Sequence, residues 1–356
     1  MAKVVFEDVV CRANTKEDRF NTDKIYYVGG EHIDSNTVLI DKRGLIEGST
    51  IGPMFYFGFK AGQVLFVSRN PHLRKAGLVT FDGICSEKTF VLETKDESVL
   101  LQRYLPFVMQ SDCFWKYMEA HKSGSVNFFI NWSTLKKYEF ELPNIQEQKR
   151  IADLLWAIND TKVAYEKLLI SIDEAVKSQF IEMFGDIHSE GDYPRKQWKE
   201  VLKIINGKDY KKVQVDSGGY PVYGTGGEMA RASDYLCPEN SIIMGRKGTI
   251  DNPMLMTEKY WNVDTAFGVV PGELLRPTYL LWYCKQLDYS KLNKATTLPS
   301  TTKKDLYNLW INIPDMNQQC EFEKFVEQSD KSKFEIKESI KRLEALSHSL
   351  LCENFR

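Results

Sequence analysis

The strongest constraint on the fold of this chain is an internal repeat with an offset of 171 residues, because residues 135–184 align with residues 306–355 without a gap. The apolar positions of the two segments match along their length. The aligned pairs include Leu135 with Leu306, Phe140 with Ile311, Pro143 with Pro314, Gln148 with Gln319, Lys162 with Lys333 and Phe184 with Phe355. A repeat of this length indicates that one structural unit occurs twice, so that the chain is built from two related halves.

Each copy of the repeat begins as a short strand and continues as a helix. The alternating apolar residues of the two strands are Tyr138, Phe140 and Leu142, then Leu309, Ile311 and Ile313. A proline and a polar residue follow in both copies. That polar residue, Asn144 or Asp315, can cap the helix that comes next.

Both helices carry apolar residues at alternating spacings of three and four. The seam of the first consists of Ile151, Leu155, Ile158, Tyr165, Leu169, Ile172, Val176, Phe180 and Met183, interrupted by Lys162. The seam of the second consists of Phe322, Val326, Ile336, Ile340, Leu343 and Leu351, with polar gaps at Ser329, Lys333 and Ser347. Such a stripe is typical of a helix that packs against another helix.

The length of these helices argues against an ordinary helical bundle, which is the alternative interpretation. A helix of ~34 residues is ~50 Å long, well beyond a typical globular helix. Gly185 is expected to end the first helix. Two equal stripes, each following a globular segment, favour an antiparallel coiled-coil pair.

The rest of the chain is rich in short β-like runs separated by Gly, Asn and Asp. Examples are Gln63-Val-Leu-Phe-Val-Ser-Arg-Asn in the first half and Ser241-Ile-Ile-Met-Gly-Arg-Lys-Gly in the second. We therefore predict an α+β protein with a pseudo-twofold repeat, in which two globular mixed α/β domains alternate with the two helices. The expected boundaries are 1–143 for the first domain, 144–185 for the first helix, 186–314 for the second domain and 315–356 for the second helix.

Composition limits the class of protein and its compartment. The chain is 43% hydrophobic and 12% aromatic, which is typical of a globular protein. No apolar run approaches the ~20 residues of a membrane span, and acidic residues near the N-terminus argue against a signal peptide. The seven cysteines and five histidines are scattered, so we expect reduced thiols in a cytoplasmic protein, without a Cys or His metal site.

Charge is unevenly distributed along the chain, although the net charge is only −2. Residues 192–313 carry 17 Lys and Arg against 13 Asp and Glu, whereas residues 1–142 balance at 18 of each. The helical segments 143–191 and 314–356 are acidic, with net charges of −4 and −2. Overall charge therefore neither favours nor excludes nucleic acid, and a partner could supply part of the charge that neutralises phosphates.

The order of these segments resembles the DNA-specificity subunits of type I restriction–modification enzymes, which alternate target-recognition domains with long helices. The segments Tyr220–Gly227, Gly245-Arg-Lys-Gly-Thr-Ile and Tyr260-Trp-Asn-Val-Asp-Thr-Ala-Phe resemble one class of their recognition domain. Tyr27-Val-Gly-Gly-Glu-His-Ile resembles another class. Leu142-Pro-Asn-Ile-Gln-Glu-Gln is similar to their helix-start motif, with a weaker copy at Ile313-Pro-Asp-Met-Asn-Gln-Gln. The resemblance covers nearly the whole chain.

The resemblance implies a non-catalytic subunit that reads a bipartite, asymmetric site in double-stranded DNA. Its expected partners are methyltransferase subunits, two of them, and restriction–translocase subunits. S-adenosylmethionine, Mg²⁺ and ATP would bind to those partners, and this chain would hold no cofactor. Two alternatives stay open: a specificity subunit whose partner fuses nuclease and methyltransferase, and a coiled-coil scaffold without DNA recognition.

Candidate DNA contacts are residues that can reach base edges or phosphates. They are Arg69 and Asn70 in the first domain, and Lys208, Lys211, Lys212, Gly224, Thr225, Gly226, Arg246, Lys247 and Thr249 in the second. The glycines could admit backbone N–H groups to phosphate. In the alternative interpretation the arginines form surface ion pairs, the lysines belong to a solvated loop and the glycines simply form turns.

Motifs for catalysis are weak. Asn70-Pro-His-Leu and Asn252-Pro-Met-Leu lack the second proline and the aromatic residue of an adenine methyltransferase motif. Gly224-Thr-Gly-Gly is not a dinucleotide-binding motif. Asp82, Glu93 and Lys95 suggest a metal-dependent nuclease only faintly, because an acid two residues before a lysine is common on exposed strands.

Overall fold

The computed structural model describes residues 2–187, 193–292 and 299–355. The chain divides into two compact units. Unit 1 comprises Met1–Glu166 and Lys337–Arg356, and unit 2 comprises Lys167–Ile336. Each unit therefore contains one globular part and parts of both long helices.

The globular part of unit 1 holds eleven strands among its described residues. They are β1 (Ala2–Val5), β2 (Val10–Ala13), β3 (Tyr26–Val28), β4 (Leu39–Ile40), β5 (Gly44–Leu45), β6 (Phe55–Phe59), β7 (Val64–Val67), β8 (Ala76–Val79), β9 (Gly83–Ser86), β10 (Thr89–Thr94) and β11 (Glu139–Leu142). Its helices are α1 (Phe6–Val9), α2 (Leu105–Gln110), α3 (Asp112–Ala120) and α4 (Trp132–Leu135), with 3-10 turns at Gly30–His32 and Pro71–Leu73. The first long helix, α5 (Ile145–Phe184), follows β11.

The globular part of unit 2 repeats this composition. Its strands are β12 (Arg195–Gln197), β13 (Leu202–Asn206), β14 (Gln214–Val215), β15 (Tyr220–Gly224), β16 (Gly227–Ala232), β17 (Ser241–Gly245), β18 (Met254–Met256), β19 (Trp261–Asn262), β20 (Ala266–Pro271) and β21 (Trp310–Asn312). Its helices are α6 (Trp198–Val201), α7 (Pro277–Lys285), α8 (Tyr289–Leu292) and α9 (Lys303–Tyr307), followed by the second long helix, α10 (Met316–Asn354).

One sheet in each unit has the same order of four strands. Unit 1 contains the order β2-β10-β7-β8 with β4 added at one edge, and unit 2 contains β13-β20-β17-β18. The shared neighbours in both sheets are antiparallel. A second sheet in each unit contains one parallel pair, β3 with β9 or β15 with β19. The prediction of two related mixed α/β parts is confirmed, although their sequences are not close copies.

A two-stranded ribbon precedes each long helix. The ribbons pair β1 with β11 and β12 with β21, both antiparallel. In β11 the apolar Phe140 and Leu142 are buried, as is Tyr138 just before the strand, while the intervening Glu139 and Glu141 are exposed. This alternation is the pattern expected of a strand with one face on the core.

The two long helices are present as predicted, with 40 residues in α5 and 39 in α10, which makes each about 60 Å long at 1.5 Å per residue. The side chain of Asn144 accepts a hydrogen bond from the Glu147 N–H at 3.0 Å, and Asp315 accepts one from the Asn317 N–H at 2.8 Å. Both predicted caps are thus formed. Gly185, with φ +76°, ends α5 in the left-handed conformation that favours glycine.

A buried glutamine attaches the start of each long helix to its globular part. The amide nitrogen of Gln148 donates to the carbonyls of Val99 and Pro143, both at 2.8 Å, and its oxygen accepts from the Leu101 N–H at 3.0 Å. Gln319 makes the matching contacts, at 3.0 Å to the carbonyls of Leu274 and Pro314 and at 2.8 Å from the Arg276 N–H. Both glutamines are fully buried. Each helix therefore leaves its domain in a fixed direction.

The predicted seam lies on the less exposed face of both helices. Among its members, Ile151, Leu155, Ile158, Phe322 and Val326 are buried, and Tyr165, Leu169, Ile172, Ile336, Ile340 and Leu343 are half-buried. The two lysines that interrupt the seam form ion pairs instead. Lys162 pairs with Glu344 at 2.7 Å inside unit 1, and Lys333 pairs with Asp173 at 3.0 Å inside unit 2. The two ion pairs occupy equivalent positions of the repeat, because Lys162 aligns with Lys333 and Asp173 aligns with Glu344 at the offset of 171 residues.

Candidate nucleic-acid interface

Arg69 and Asn70 lie just beyond the end of β7 in unit 1, and both are exposed. Their backbone pairs with a later segment, because the Asn70 N–H donates to the Phe128 carbonyl at 2.9 Å and Arg69 bridges Phe129. Asn70 has φ +51°, a conformation that few side chains adopt without support from their surroundings. The fold thus holds an arginine and a strained asparagine at the surface, where both side chains can meet a ligand.

The segment 122–129 is the backbone partner of Arg69 and Asn70. This segment was not predicted from the sequence as part of a site. Ser123 and Phe129 pair across a tight loop in which Gly124 has φ +98°. Val126 at the tip is 83% exposed and Phe129 is 37% exposed. Lys122 lies 4.2 Å from the centre of the Phe128 ring. A glycine between two serines was the available signal for this loop.

In unit 2, Gly224, Thr225 and Gly226 form the tip of the β15–β16 hairpin. Gly224 pairs with Gly227, so Thr225 and Gly226 are the two turn residues. Gly227 has φ +118°, which explains the need for glycine there. These residues thus form a turn, in which Gly224 is buried, Thr225 is half-buried and Gly226 is exposed.

The segment 262–265 joins three of the predicted elements into one surface. The Lys208 N–H donates to the Asn262 carbonyl at 3.0 Å, and the Val263 N–H donates to the Tyr223 carbonyl at 3.1 Å. On its other side, the Arg246 N–H donates to the Thr265 carbonyl at 2.8 Å. Lys208, the hairpin of Gly224 and the Arg246 loop are thus brought together, although they are distant in sequence.

The side chain of Asn262 holds the segment 262–265 in place through buried hydrogen bonds. This side chain is fully buried, donates to the carbonyls of Ile205 at 3.3 Å and Ala266 at 3.1 Å, and lies 3.2 Å from the Cys237 thiol. Gly207 has no room for a Cβ, because the Val263 carbonyl occupies that position. Asn262 was part of a family-like motif but was not proposed as a site residue.

Arg246 and Lys247 occupy the place in unit 2 that Ser68 and Arg69 occupy in unit 1. The Thr301 N–H donates to the Arg246 carbonyl at 3.0 Å, and the Ile130 N–H donates to the Ser68 carbonyl at 2.8 Å. The repeat offset relates Ile130 to Thr301. The Arg246 guanidinium lies 3.3 Å from the Asp264 carbonyl. Its side chain is half-buried, whereas that of Lys247 is exposed.

The remaining candidates lie outside the segment 262–265. Lys211 and Lys212 are exposed in the turn before β14, where the Lys211 N–H donates to Asp209 at 3.0 Å. Thr249 is exposed, and its carbonyl packs on Gly245 so closely that a Cβ could not fit there. Direct contact of any of these residues with DNA stays a prediction.

The three residues considered for a nuclease, Asp82, Glu93 and Lys95, all form hydrogen bonds with other parts of the globular domain. Glu93 accepts from the Gln63 amide at 2.8 Å, and Lys95 donates to the Glu7 carbonyl at 2.6 Å. Asp82 accepts from the Ala61 N–H at 2.9 Å, and this hydrogen bond is the main cause of its lowered pKa. The three residues therefore support loop and sheet geometry.

Comparison with known proteins identifies a family. The sequence matches the type I restriction modification DNA specificity domain over residues 7–172 and 191–345. A search of curated proteins found no match. Within the described residues, no helix is both long enough and apolar enough to cross a membrane.

Two solved structures share the fold. One is a chain from a study of complex assembly and conformational transition of the type I R-M system, with TM-score 0.63 and 19% identity over 99% of this chain and 97% of that one. The other is the S subunit of a type I restriction–modification system from M. genitalium, with TM-score 0.63 and 16% identity over 100% of this chain and 96% of that one. At these identities the likeness concerns the fold.

Proposed function

This chain belongs to the family of type I restriction–modification DNA specificity subunits, and from that premise we propose that it reads a bipartite, asymmetric DNA site. Specificity subunits recognise DNA and leave catalysis to other subunits. The observation that carries the proposal is the pair of globular parts that share one four-stranded antiparallel sheet and differ in their loops. Because the scaffold is repeated and the loops are not, each part is suited to a different half-site.

The loops at matching positions differ in the chemistry they present. Unit 1 places Arg69 and Asn70 beside the segment 122–129, and unit 2 places Arg246 and Lys247 beside residues 300–301. Asparagine suits adenine in the major groove, and arginine or lysine suits guanine. The exposed Lys208, Lys211 and Lys212 suit phosphates, which add affinity without sequence information.

The two long helices would form an antiparallel coiled coil that sets the spacing between the half-sites. The ion pairs Lys162–Glu344 and Lys333–Asp173 support an antiparallel register, because Asp173 lies farther along α5 than Lys162 while its partner Lys333 lies earlier in α10 than Glu344. The buried Gln148 and Gln319 fix the start of each helix to its globular part. A change in helix length should therefore change the distance between the two half-sites. The exposed faces of the helices would dock two methyltransferase subunits and, through them, the restriction–translocase subunits. S-adenosylmethionine, Mg²⁺ and ATP would bind to those partners in the cytoplasm.

The test maps the modified bases that result when the chain is co-expressed with its methyltransferase subunit. We expect one motif with two different half-sites and a gap of fixed length. A four-residue insertion after Ala164 in α5 should change the gap and leave both half-sites intact. The same insertion after Ser217, in the exposed turn between β14 and β15, serves as the control and should leave the gap unchanged. Altered half-sites with the α5 insertion would contradict the proposal, and absence of any motif would favour a scaffold without DNA recognition.

A second test assigns the half-sites. Replacing Arg246 by Ala should relax one base position in one half-site, with a loss of about 1–3 kcal/mol in discrimination. Replacing Lys211 by Ala should weaken binding to all sequences alike and reduce the salt dependence by about one phosphate. Arg276, which pairs with Glu323, provides the matched arginine control and should leave the motif unchanged when replaced by Lys.

A further inference from the structure

Three side chains with metal-binding donors come together in unit 1, outside the predicted DNA surfaces. An oxygen of Asp112, a ring nitrogen of His348 and the sulfur of Cys352 all lie within 4.8 Å of one another. Asp112 is the first residue of α3, whereas His348 and Cys352 lie four residues apart on α10. The scattered cysteines and histidines of the sequence predict no metal site, whereas the fold brings Asp112 to His348 and Cys352.

The geometry of the helical pair matches tetrahedral coordination. Zn²⁺ bonds of ~2.3 Å to sulfur and ~2.05 Å to nitrogen, at a tetrahedral angle, place the two donors about 3.6 Å apart. The observed distance between Cys352 Sγ and His348 Nε2 is 3.7 Å. Residues four apart on a helix present both donors on one face. The pair could therefore hold a metal with little movement of the helix.

Asp112 is oriented toward this face by an arginine. Its Oδ1 accepts a hydrogen bond from Arg74 at 2.8 Å, which leaves Oδ2 as a possible ligand. Carboxylate ligands of metals are commonly held by such an outer hydrogen bond. Arg74 itself has φ +48°, a left-handed conformation that residues other than glycine seldom adopt.

The surroundings admit an ion and offset one of its two positive charges. The three residues line a cavity of ≈ 330 Å³ that also includes Lys162 and Glu344. His348 and Cys352 are exposed, which gives an ion a path from solvent. With Cys352 as thiolate, the two carboxylates and the thiolate exceed the charges of Arg74 and Lys162 by one negative charge.

We propose that Asp112, His348 and Cys352 bind one divalent metal of the Zn²⁺ class, with water as the fourth ligand. Mixed sulfur, nitrogen and oxygen donors suit Zn²⁺ and Co²⁺ and do not suit Mg²⁺ or Ca²⁺. Binding would release the Cys352 proton to solvent, because the thiolate is the ligand. The ion would join the last turns of α10 to α3, next to the stacking of Tyr104 on Phe355 at 5.0 Å.

The test titrates Co²⁺ into the untagged, reduced full-length chain. We expect one equivalent to bind with the visible bands of tetrahedral Co²⁺ and a near-ultraviolet thiolate band, both displaced by Zn²⁺. Cys352→Ser should remove the thiolate band. His348→Gln should weaken binding by more than the ~10- to 100-fold typical of losing an outer partner. Both side chains are exposed, so these variants should fold.

Cys320→Ser, which alters a half-buried thiol of unit 2, is the matched control and should leave the titration unchanged. A second readout is the urea midpoint, which Zn²⁺ should raise in the parent chain and not in Cys352→Ser. A thiolate band that survives Cys352→Ser, octahedral spectra, or no stoichiometric binding would overturn the proposal.

Discussion

Replacing Gln148 by Leu tests whether a single buried amide fixes the first long helix to its domain. Leucine fills a similar volume but offers no polar atoms. The change would leave the carbonyls of Val99 and Pro143 and the N–H of Leu101 without their present partner. These groups have little access to water there, since Gln148 is fully buried.

The expected cost follows from those three groups. At about 1 kcal/mol for each lost hydrogen bond, with a larger penalty where a buried group finds no new partner, the free energy of unfolding should fall by about 3 kcal/mol. For a slope of ~2 kcal/mol per molar urea, the midpoint should fall by about 1.5 M. This is a large effect for one residue.

Urea unfolding followed by tryptophan fluorescence measures the effect, because Trp156 lies near this junction and its indole N–H donates to the Arg103 carbonyl at 2.8 Å. Gln146→Leu is the matched control, since Gln146 is exposed on the same helical turn, and its midpoint should stay close to that of the parent. A loss below about 1 kcal/mol for Gln148→Leu, or one equal to the control, would refute the reasoning that the amide anchors the helix. Gln319→Leu should repeat the result in unit 2.

Three further predictions concern packing, thiols and ion pairs. Phe322→Ala should lower the free energy of unfolding by about 3–5 kcal/mol, because Phe322 is fully buried against other aromatic rings, and urea denaturation measures this. Burial raises the pKa of Cys85 to about 12 and that of Cys237 to about 11, so both thiols stay protonated at pH 8 and should resist a thiol reagent until the chain unfolds. Reaction of either at the rate of the exposed Cys352 would contradict that burial. Lys162→Glu should cost less than about 1 kcal/mol and Glu344→Lys should restore it, as a double-mutant cycle would show.

The helices could be predicted from the sequence because their signals are local. Asn144, Asp315 and Gly185 act within one turn, and the spacing of the apolar residues identifies the buried face directly. The strand that contains Phe140 and Leu142 follows from the same kind of local alternation, although it begins one residue after Tyr138. Each of these features depends on residues that are near one another in the chain.

The sheets and the candidate surfaces are formed by residues that are distant in sequence. For this reason the sequence did not predict the segment 262–265, the loop 122–129 or the cluster of Asp112, His348 and Cys352. The segment 262–265 gains its importance from contacts with Lys208, Tyr223 and Arg246, and none of these is adjacent to it in sequence. The loop 122–129 similarly depends on pairing with Arg69 and Asn70. The cluster of Asp112, His348 and Cys352 joins residues more than two hundred positions apart.

The ion pairs of the long helices also bear on how such a chain can arise and change. Helix α5 alone carries both kinds of partner, Lys162 and Asp173, and α10 carries the matching Lys333 and Glu344. In its charged residues each helix is thus complementary to an antiparallel copy of itself, so two identical halves could form the same ion pairs. The repeat keeps this charge pattern in both halves, while the loops of the two globular parts differ. Under the proposed function, exchange of one globular part would change one half-site and leave the helices unchanged.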